Sequence, residues 1–384
     1  MDINLKLMSL QQLKDLSSMP MHGRLLSFNQ GKTVCVGVIH MSNGYAMFNY
    51  SISQNTTKQL HRGDVITFKG DAQEIAGKTI LIIQQILLHV PCSGVLPNKQ
   101  YKGENEIHRI LPTMFTPDNS FLLKLKALVM KHLRTTLYES GFDEIQTPVL
   151  YNLHSPSNAK CFSVNTVNGA TLYLKTIHEH LLKPYLLVGF DRIFEIGSVF
   201  RNIQYAHQFD CEFTNADIWM KDATLMQLIR LCISLSQGVR TVQDLSPLPE
   251  QILSYDTFVT QNSLESLERN EIKNYIREHY KGSLLVIYHY PRISNLHTKP
   301  TSNNLHNEEF HVYANGISYA HGYLVNTQDI YAAPTDRDCC QLFEEYSSYG
   351  IGEFGGVGIG VEKLLQAMLD IEDYHKLNLY RRKY

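Results

Sequence analysis

Two neighbouring segments in the middle of the chain carry side chains that could act on an anionic substrate. Phe200 and Arg201 end one apolar run, and Glu212 and Phe213 open the next one, with Glu212 eleven positions after Arg201. A planar, permanently charged guanidinium suits carboxylate and phosphate oxygens better than an ammonium does. If the two runs pair as antiparallel strands across residues 202–211, the guanidinium and the ring reach one face of a sheet.

A glycine-rich run near the C-terminus is a further candidate. Residues 353–369 read EFGGVGIGVEKLLQAML, in which four glycines precede a predicted helix that begins near Glu362 and Lys363. The charged end of Lys363 could reach the same face as Arg201. Glycine runs are common in proteins, so this one indicates a function only in combination with the segments that precede it.

The N-terminal part of the chain, residues 1–95, predicts a small β-barrel. Runs rich in β-branched and aromatic residues, separated by turn signals, predict strands over Val34 to Met41, Tyr45 to Ile52, Asp64 to Gly70 and Lys78 to Leu88. Four or five such strands indicate a closed barrel of the oligonucleotide/oligosaccharide-binding type. A generic all-β domain is the alternative, because periodicity alone does not separate the two.

A proline-containing linker at residues 96–120 precedes a long amphipathic helix. Apolar residues recur at three- and four-residue spacing from Phe121 to Ser140, and Gly141 suits the C-terminal end of the helix. Strands and helices alternate beyond it, so residues 121–384 are predicted as one large domain.

The composition is that of a globular protein, with 43% hydrophobic and 19% charged residues. A net charge of −2 does not favour a polyanion partner. The N-terminus has no long apolar region, and no run of 18 apolar residues occurs, so we expect a cytoplasmic protein with no signal peptide and no membrane partner. The cysteines form no CxxC pair, which disfavours a zinc knuckle or a redox motif.

Together these segments resemble the catalytic domain of class II aminoacyl-tRNA synthetases, in the branch that serves aspartate, asparagine and lysine. The phrase GFDRIFEIG at residues 189–197 and the step from Arg201 to Glu212 are similar to the lysine-type enzymes. The glycine-led segment follows at the chain order and distance of the family. The resemblance implies an α+β fold, in which an antiparallel sheet of six or more strands, flanked by helices, follows the barrel.

The resemblance also implies a two-fold homodimer. In the family, the long helix and the strand after it build the subunit interface, and Pro148 matches the proline that ends this strand. Such an interface is self-complementary, as closed symmetry requires.

A further implication of the resemblance is an ATP site for amino acid activation. In that reaction a carboxylate attacks the α-phosphate of ATP, so cations are needed where two anions meet. Arg201 is similar to the arginine that bridges these groups, with Lys363 as a second catalytic cation, and Phe213 is similar to the ring that stacks on adenine. The other ATP-binding residues that the resemblance implies are His207, Glu212, Gly358 and Gly360.

For the amino acid, the resemblance implies a pocket next to the ATP site. Glu179 falls where lysine-type enzymes place a glutamate that holds the substrate ammonium, although a solvated helix glutamate is an equal alternative. Tyr319 and Tyr323 are predicted to line a less polar part of the pocket. We expect Glu179 to share one pocket with Arg201.

Several positions depart from the family pattern. Ile203 stands in place of a glutamate that contacts ATP, and His207 is the nearest candidate for the cation on the γ-phosphate. Ser318 and Val325 stand in place of two carboxylates that bind magnesium. We therefore predict ATP as the cofactor, a weakened magnesium site and no metal ligand from the protein. Should magnesium prove essential, the acids to reconsider are Glu308, Glu309 and Glu353.

Three functions fit this pattern. The favoured one is an ATP-dependent ligase that activates an amino acid as its adenylate and transfers it to tRNA or to a non-RNA nucleophile. The others are a catalytically silent paralogue that binds a nucleotide, an amino acid or a protein, and a conventional tRNA synthetase with locally compensated replacements. The tRNA partner lacks support from a basic composition, and Val34, Val36 and Val38 occupy a barrel strand where an aromatic residue would stack on bases.

Overall fold

The computed structural model describes residues 7–42, 44–51, 60–94, 117–152, 160–203, 210–264, 269–292, 298–327, 352–371 and 377–378. These residues fall into two compact units that divide between Leu123 and Lys124, with Asn378 counted in the first unit. Among them, no helix is long and apolar enough to cross a lipid bilayer. The predicted linker at 96–120 lies largely outside the described residues and stays a prediction.

The first unit is a closed barrel of five strands. It contains helix α1 (Leu10–Leu16) and the strands β1 (Met21–Gln30), β2 (Val34–Met41), β3 (Gly44–Ser51), β4 (Val65–Ile75) and β5 (Lys78–Val90). The strands pair in the order β1-β2-β3-β5-β4, and β4 returns to β1. The predicted barrel is confirmed. The sequence analysis had delimited four of its strands, and β1 is the fifth.

Alternating side chains fill the barrel. Leu25, Ile39, Phe48 and Ile66 are fully buried in its core, each from a different strand. The alternate positions of β2 face outwards, so that Val34 and Val36 are exposed. The outer face of this strand therefore presents aliphatic side chains, as expected from the sequence.

The second unit is built on an eight-stranded sheet. The strands of this unit are β6 (Asp143–Glu144), β7 (Leu150–Tyr151), β8 (Ser163–Asn165), β9 (Thr171–Leu174), β10 (Arg192–Phe200), β11 (Glu212–Lys221), β12 (Glu250–Ser254), β13 (Leu284–Tyr288), β14 (Glu309–Ala314), β15 (Ile317–Leu324) and β16 (Phe354–Gly360). The large sheet has the order β12-β13-β14-β15-β16-β11-β10-β6, and β7, β9 and β8 form a separate small sheet. All neighbours in the large sheet are antiparallel except β6–β10 and β12–β13. The predicted sheet of six or more strands is confirmed.

Helices flank this sheet. They are α2 (Pro117–Glu139), α3 (Glu179–Leu187), α4 (Leu225–Thr241), α5 (Tyr255–Gln261), α6 (Arg269–His279) and α7 (Val361–Leu369). Helix α2 ends before Gly141, whose φ of 77° is left-handed and favours glycine, as the sequence predicted. Helices α4 and α7 pack against the central strands, and α3 packs against β10 and β11.

The glycines of β16 allow it to pass between larger neighbours. A Cβ atom on Gly356 would lie 2.4 Å from Cδ2 of the buried Trp219 on β11. A Cβ atom on Gly358, two residues further along the same face, would lie 3.4 Å from its nearest neighbour, an oxygen of Asp217. Gly356 is therefore required by packing, whereas Gly358 has room above it.

We predict that Gly356→Ala lowers the free energy of unfolding by ~1–3 kcal/mol, because the added methyl group overlaps the indole of Trp219. Gly358→Ala is the matched control and should change it by no more than ~0.5 kcal/mol, because its methyl group meets ordinary contact distances. Urea unfolding followed by circular dichroism measures both. Equal losses for the two variants would contradict this packing account.

Candidate functional site

One face of the central sheet carries a row of polar positions. The register pairs His311 of β14 with His321 of β15, His321 with Gly358 of β16, and Gly358 with Asp217 of β11. Directly paired residues of antiparallel strands project from the same face. Residues distant in sequence are therefore brought side by side by strand pairing.

A cavity of about 340 Å³ opens beside this row. Both histidines and Gly358 line it. Six residues that the sequence analysis assigned to ATP or amino acid binding also line it: Arg201, Phe213, Tyr319, Gly358, Gly360 and Lys363. The segments around Arg201 and Phe213 and the glycine-rich segment therefore meet at one cavity.

Arg201 and Phe213 form a stacked pair on the cavity wall. Val199 near the end of β10 pairs with Phe213, and the backbone N–H of Arg201 donates to the carbonyl of Cys211 at 2.8 Å. These contacts place the guanidinium carbon 5.1 Å from the centroid of the Phe213 ring, a cation–π distance. Burial lowers the pKa of Arg201, and the charge of Asp217 partly opposes this effect.

The guanidinium of Arg201 retains unused hydrogen-bonding capacity. Its Nε is buried and makes no hydrogen bond to any residue that the structure describes. A buried donor without an acceptor costs about 1–3 kcal/mol, and more when it is charged. An anionic ligand in the cavity would relieve that cost.

Two lysines add positive charge to the cavity. Lys363, at the start of α7, is half-buried; burial lowers its pKa and the nearby charge of Arg277 lowers it further. Lys273 projects from α6 and also lines the cavity. No sequence pattern indicates Lys273 as a cavity residue, because nothing in its helix shows that it faces the sheet.

Glu362 lines the cavity but has a structural role. Its carboxylate accepts hydrogen bonds from the backbone N–H and the hydroxyl of Thr214, at 3.0 and 2.8 Å, and from Nζ of Lys126 at 2.7 Å. It is almost fully buried. Glu362 therefore ties α7 to β11 and to α2.

Glu179 and Tyr323 are not among the residues that line this cavity, so a pocket shared by Glu179 and Arg201 stays a prediction. The Glu179 carboxylate accepts hydrogen bonds from Lys183 and from the hydroxyl of Tyr323. Burial alone would raise its pKa, but the charges of Lys183 and His180 and these hydrogen bonds lower it to about 2. Lys183 in turn lies 4.6 Å from the ring of Trp219. Glu179 is thus already engaged by a neighbouring ammonium.

Asp217 connects the cavity to this buried cluster, and sequence analysis missed it. It is 5% exposed, and Nδ2 of Asn215 donates to its carboxylate at 3.1 Å. Burial raises its pKa to about 6; the charge of Glu179 also raises it, while His178 and Lys183 lower it. A single carboxylate in the apolar run that follows Phe213 was the signal available in the sequence.

The remaining predicted residues have varied positions. Tyr319 lines the cavity, but its hydroxyl donates to Ser236 at 2.8 Å. Glu212 pairs with Phe200 at the start of β11 and does not line the cavity. His207 lies outside the described residues. Ser318 lines the cavity, whereas Val325 is buried in the core beside Trp219.

Ile203 and Asp210 also line the cavity. Ile203 presents an apolar side chain where the resemblance implied a glutamate. Asp210 is buried there, and its Oδ1 makes no hydrogen bond among the described residues. Asp210 lies two residues before β11, outside the strand, where strand patterns give no signal.

Comparison with known proteins agrees with this geometry. A family profile described as tRNA synthetases class II (D, K and N) matches residues 105–383. The chain belongs to this family of class II synthetases.

Individual relatives include lysine–tRNA ligases. The chain is 24% identical to the lysine–tRNA ligase of Saccharolobus solfataricus over 79% of this chain and 74% of that enzyme. It is 29% identical to the lysine–tRNA ligase of Ureaplasma parvum over 49% of this chain and 39% of that enzyme. It is also 29% identical to the lysylphosphatidylglycerol biosynthesis bifunctional protein LysX of Mycobacterium tuberculosis, over 48% of this chain and 16% of that protein. The match thus spans less than half the length of the last two relatives.

We predict that Glu362→Gln lowers the free energy of unfolding by ~1.5–3 kcal/mol, because it weakens charge-assisted hydrogen bonds to a buried acceptor. The matched control is Glu353→Gln, which breaks an ion pair with Lys299 in which Glu353 is exposed; such pairs contribute ~0–1 kcal/mol. Both are measured by urea unfolding at neutral pH. A Glu362→Gln loss no larger than that of the control would contradict the structural role.

A second prediction concerns pH. The folded-state pKa of Asp217, about 6, lies above its ordinary value of 3.8, so its contribution to stability is fully present below pH 3.8 and is lost as pH rises through 6. Asp217→Asn should therefore be more stable than the native protein at pH 8, by ~1–3 kcal/mol at about 1.4 kcal/mol per pKa unit.

Unfolding titrations between pH 4 and pH 8 test this sign. The advantage of the variant should shrink towards zero near pH 4, where Asp217 is protonated and resembles the amide. A constant difference across this range, or a variant that is less stable at pH 8, would contradict the assignment.

Proposed function

We propose that the cavity binds ATP and an amino acid and that the protein forms the aminoacyl adenylate, as an ATP-dependent ligase. The observation that carries this proposal is the half-buried guanidinium of Arg201, which lines the cavity, stacks on Phe213 and has a buried Nε without a hydrogen-bond partner among the described residues. An arginine held in this way suits an oxyanion that it contacts through more than one N–H group.

In the proposed reaction, the amino acid carboxylate attacks the α-phosphorus of ATP, and pyrophosphate leaves. Arg201 binds the oxygens on which negative charge increases, and its position is fixed in advance by strand pairing and by the Phe213 ring. Phe213 also provides a surface for the purine. Lys363 and Lys273 supply positive charge for the departing pyrophosphate.

Class II synthetases in general use ATP together with magnesium. The positions that the resemblance assigned to magnesium carboxylates hold Ser318 on the cavity and Val325 in the core, and a valine offers no oxygen ligand. We therefore assign no step to magnesium held by these two residues. Nucleotide binding is proposed to depend less on magnesium than it does in the family.

Lysine is the first amino acid to test, because lysine–tRNA ligases are among the relatives. Asp217 lies opposite Gly358 of the cavity wall, and above its pKa of about 6 its carboxylate suits an ammonium group. The acceptor that we propose is tRNA or another nucleophile.

A homodimer is also proposed, supported by Leu128 and Tyr138 of α2, which are exposed on the helix that the resemblance places at the interface.

A silent paralogue is the second candidate, and the engagement of Glu179 favours it. Because Glu179 is bonded to Lys183 and Tyr323, a substrate ammonium would have to displace an internal one. In this alternative the cavity still binds a nucleotide but supports no exchange of pyrophosphate. Binding and turnover therefore need separate measurements.

We predict that Arg201→Ala weakens ATP binding by about 10- to 150-fold, which corresponds to the ~1.5–3 kcal/mol of a charge-assisted hydrogen bond. Arg201→Lys should fall in between, because it keeps the charge and loses the fork. Isothermal titration calorimetry with ATP, with magnesium and with chelator, measures the affinities.

The matched control is Arg192→Ala. Arg192 lies at the opposite end of β10, stacks on Phe142 at 5.8 Å, and is exposed. This variant should bind ATP like the native protein. Native-like binding by Arg201→Ala, or no binding by the native protein in either condition, would contradict the proposal.

A further inference from the structure

Three potential metal ligands meet on one face of β14 and β15. Glu309 and His311 are alternate residues of β14, so their side chains share a face. His321 lies directly opposite His311 on β15. The two imidazole rings stack with centroids 4.3 Å apart and an angle of 16° between their planes.

The ring nitrogens converge on one carboxylate oxygen. Nε2 of His311 lies 3.2 Å from Oε1 of Glu309, and Nε2 of His321 lies 3.5 Å from the same oxygen. The three ligand atoms all lie within 4.8 Å of one another. A tetrahedral shell with metal–ligand bonds of about 2.0–2.2 Å has ligand–ligand edges of about 3.3–3.6 Å. Small side-chain adjustments would therefore suffice to place an ion between the three atoms.

The chemistry of this group favours a cation at its centre. The Glu309 side chain has no solvent exposure, and a buried carboxylate requires compensation. Nε2 of His321 is buried and makes no hydrogen bond among the described residues. A divalent ion at the centre would accept lone pairs from the carboxylate and from both imidazoles at once.

The site is open on one side. His311 and His321 line the cavity, and Glu309 lies behind them. Three protein ligands with one free position are typical of a reactive metal site. Imidazole and carboxylate ligands suit zinc and neighbouring divalent transition metals, whereas magnesium prefers an all-oxygen shell.

We propose that Glu309, His311 and His321 bind a divalent transition-metal ion, with zinc as the best match. The sequence predicted no metal ligand from the protein, and this proposal replaces that expectation. The site does not use Ser318 or Val325. It is also independent of adenylate formation, because metal binding is measured here without nucleotide or amino acid.

The experiment uses the full chain without an affinity tag, stripped of metal by a chelator and dialysed. Co²⁺ is titrated into one sample as a spectroscopic probe. A second sample is loaded with zinc and dialysed again, and the zinc that it retains is measured by plasma mass spectrometry. We expect one equivalent per chain, with the visible absorption of four-coordinate Co²⁺. His321→Asn should weaken metal binding at least ~10-fold. Loss of a residue that only supports a metal ligand already has an effect of this size, and His321 is proposed as a direct ligand.

Two further variants make the test specific. Glu309→Gln should also lose metal binding. Because this substitution alters a buried group, circular dichroism must first show that the variant is folded. His321 is partly exposed, so its substitution carries less risk of unfolding. The control is His289→Asn, which removes another histidine–carboxylate pair, with Nε2 of His289 3.2 Å from Oε2 of Glu308. The control should bind the metal normally. No stoichiometric binding, unchanged affinity in His321→Asn, or an equal loss in the control would overturn the proposal.

Discussion

Strand β16 separates β15 from β11, and on the cavity side it carries glycine at positions 356, 358 and 360. Where the neighbour is large, as at Trp219, the missing side chain lets the strands pack. Where the neighbour is small or polar, as at Asp217, it leaves open space. The absence of side chains on these glycines therefore produces both the close packing against Trp219 and the open space of the cavity. The register of the neighbouring strands sets the positions of the charged residues around the cavity.

Charge is arranged around this space in two layers. Arg201, Lys273 and Lys363 line the cavity together with Asp210 and Glu362, while Glu195 and Asp217 are buried in the sheet. Glu195 accepts hydrogen bonds from Lys175 at 2.6 Å and Thr147 at 2.7 Å; burial opposes its ionisation, but its partners lower its pKa to about 2. For Asp217, burial outweighs the hydrogen bonds that it accepts, so its pKa rises. Glu195 therefore stays ionised well below neutral pH, whereas the pKa of Asp217, about 6, lies close to neutral.

Local patterns in the sequence were sufficient for much of the fold. β-branched runs located the strands of the barrel, Gly141 marked the end of α2, and the short step between Arg201 and Phe213 implied a strand pair. Lys273 was missed because its contribution depends on how α6 packs. The meeting of His311 and His321 depends on the register of β14 and β15, which shifts at an irregularity between Val312 and Tyr313. The engagement of Glu179 by Tyr323 joins residues 144 positions apart, and no local pattern encodes such a contact.

The central claim is that the cavity activates an amino acid with ATP, and exchange of labelled pyrophosphate into ATP tests it most directly. The native protein is assayed with lysine first and then with each other amino acid, at pH 7.5, with and without magnesium. The account predicts exchange that requires one amino acid, or a few related ones, and that is lost when the amino acid is omitted. Absence of exchange with every amino acid, in a protein that still binds ATP by calorimetry, would contradict the ligase and leave a nucleotide-binding paralogue in its place.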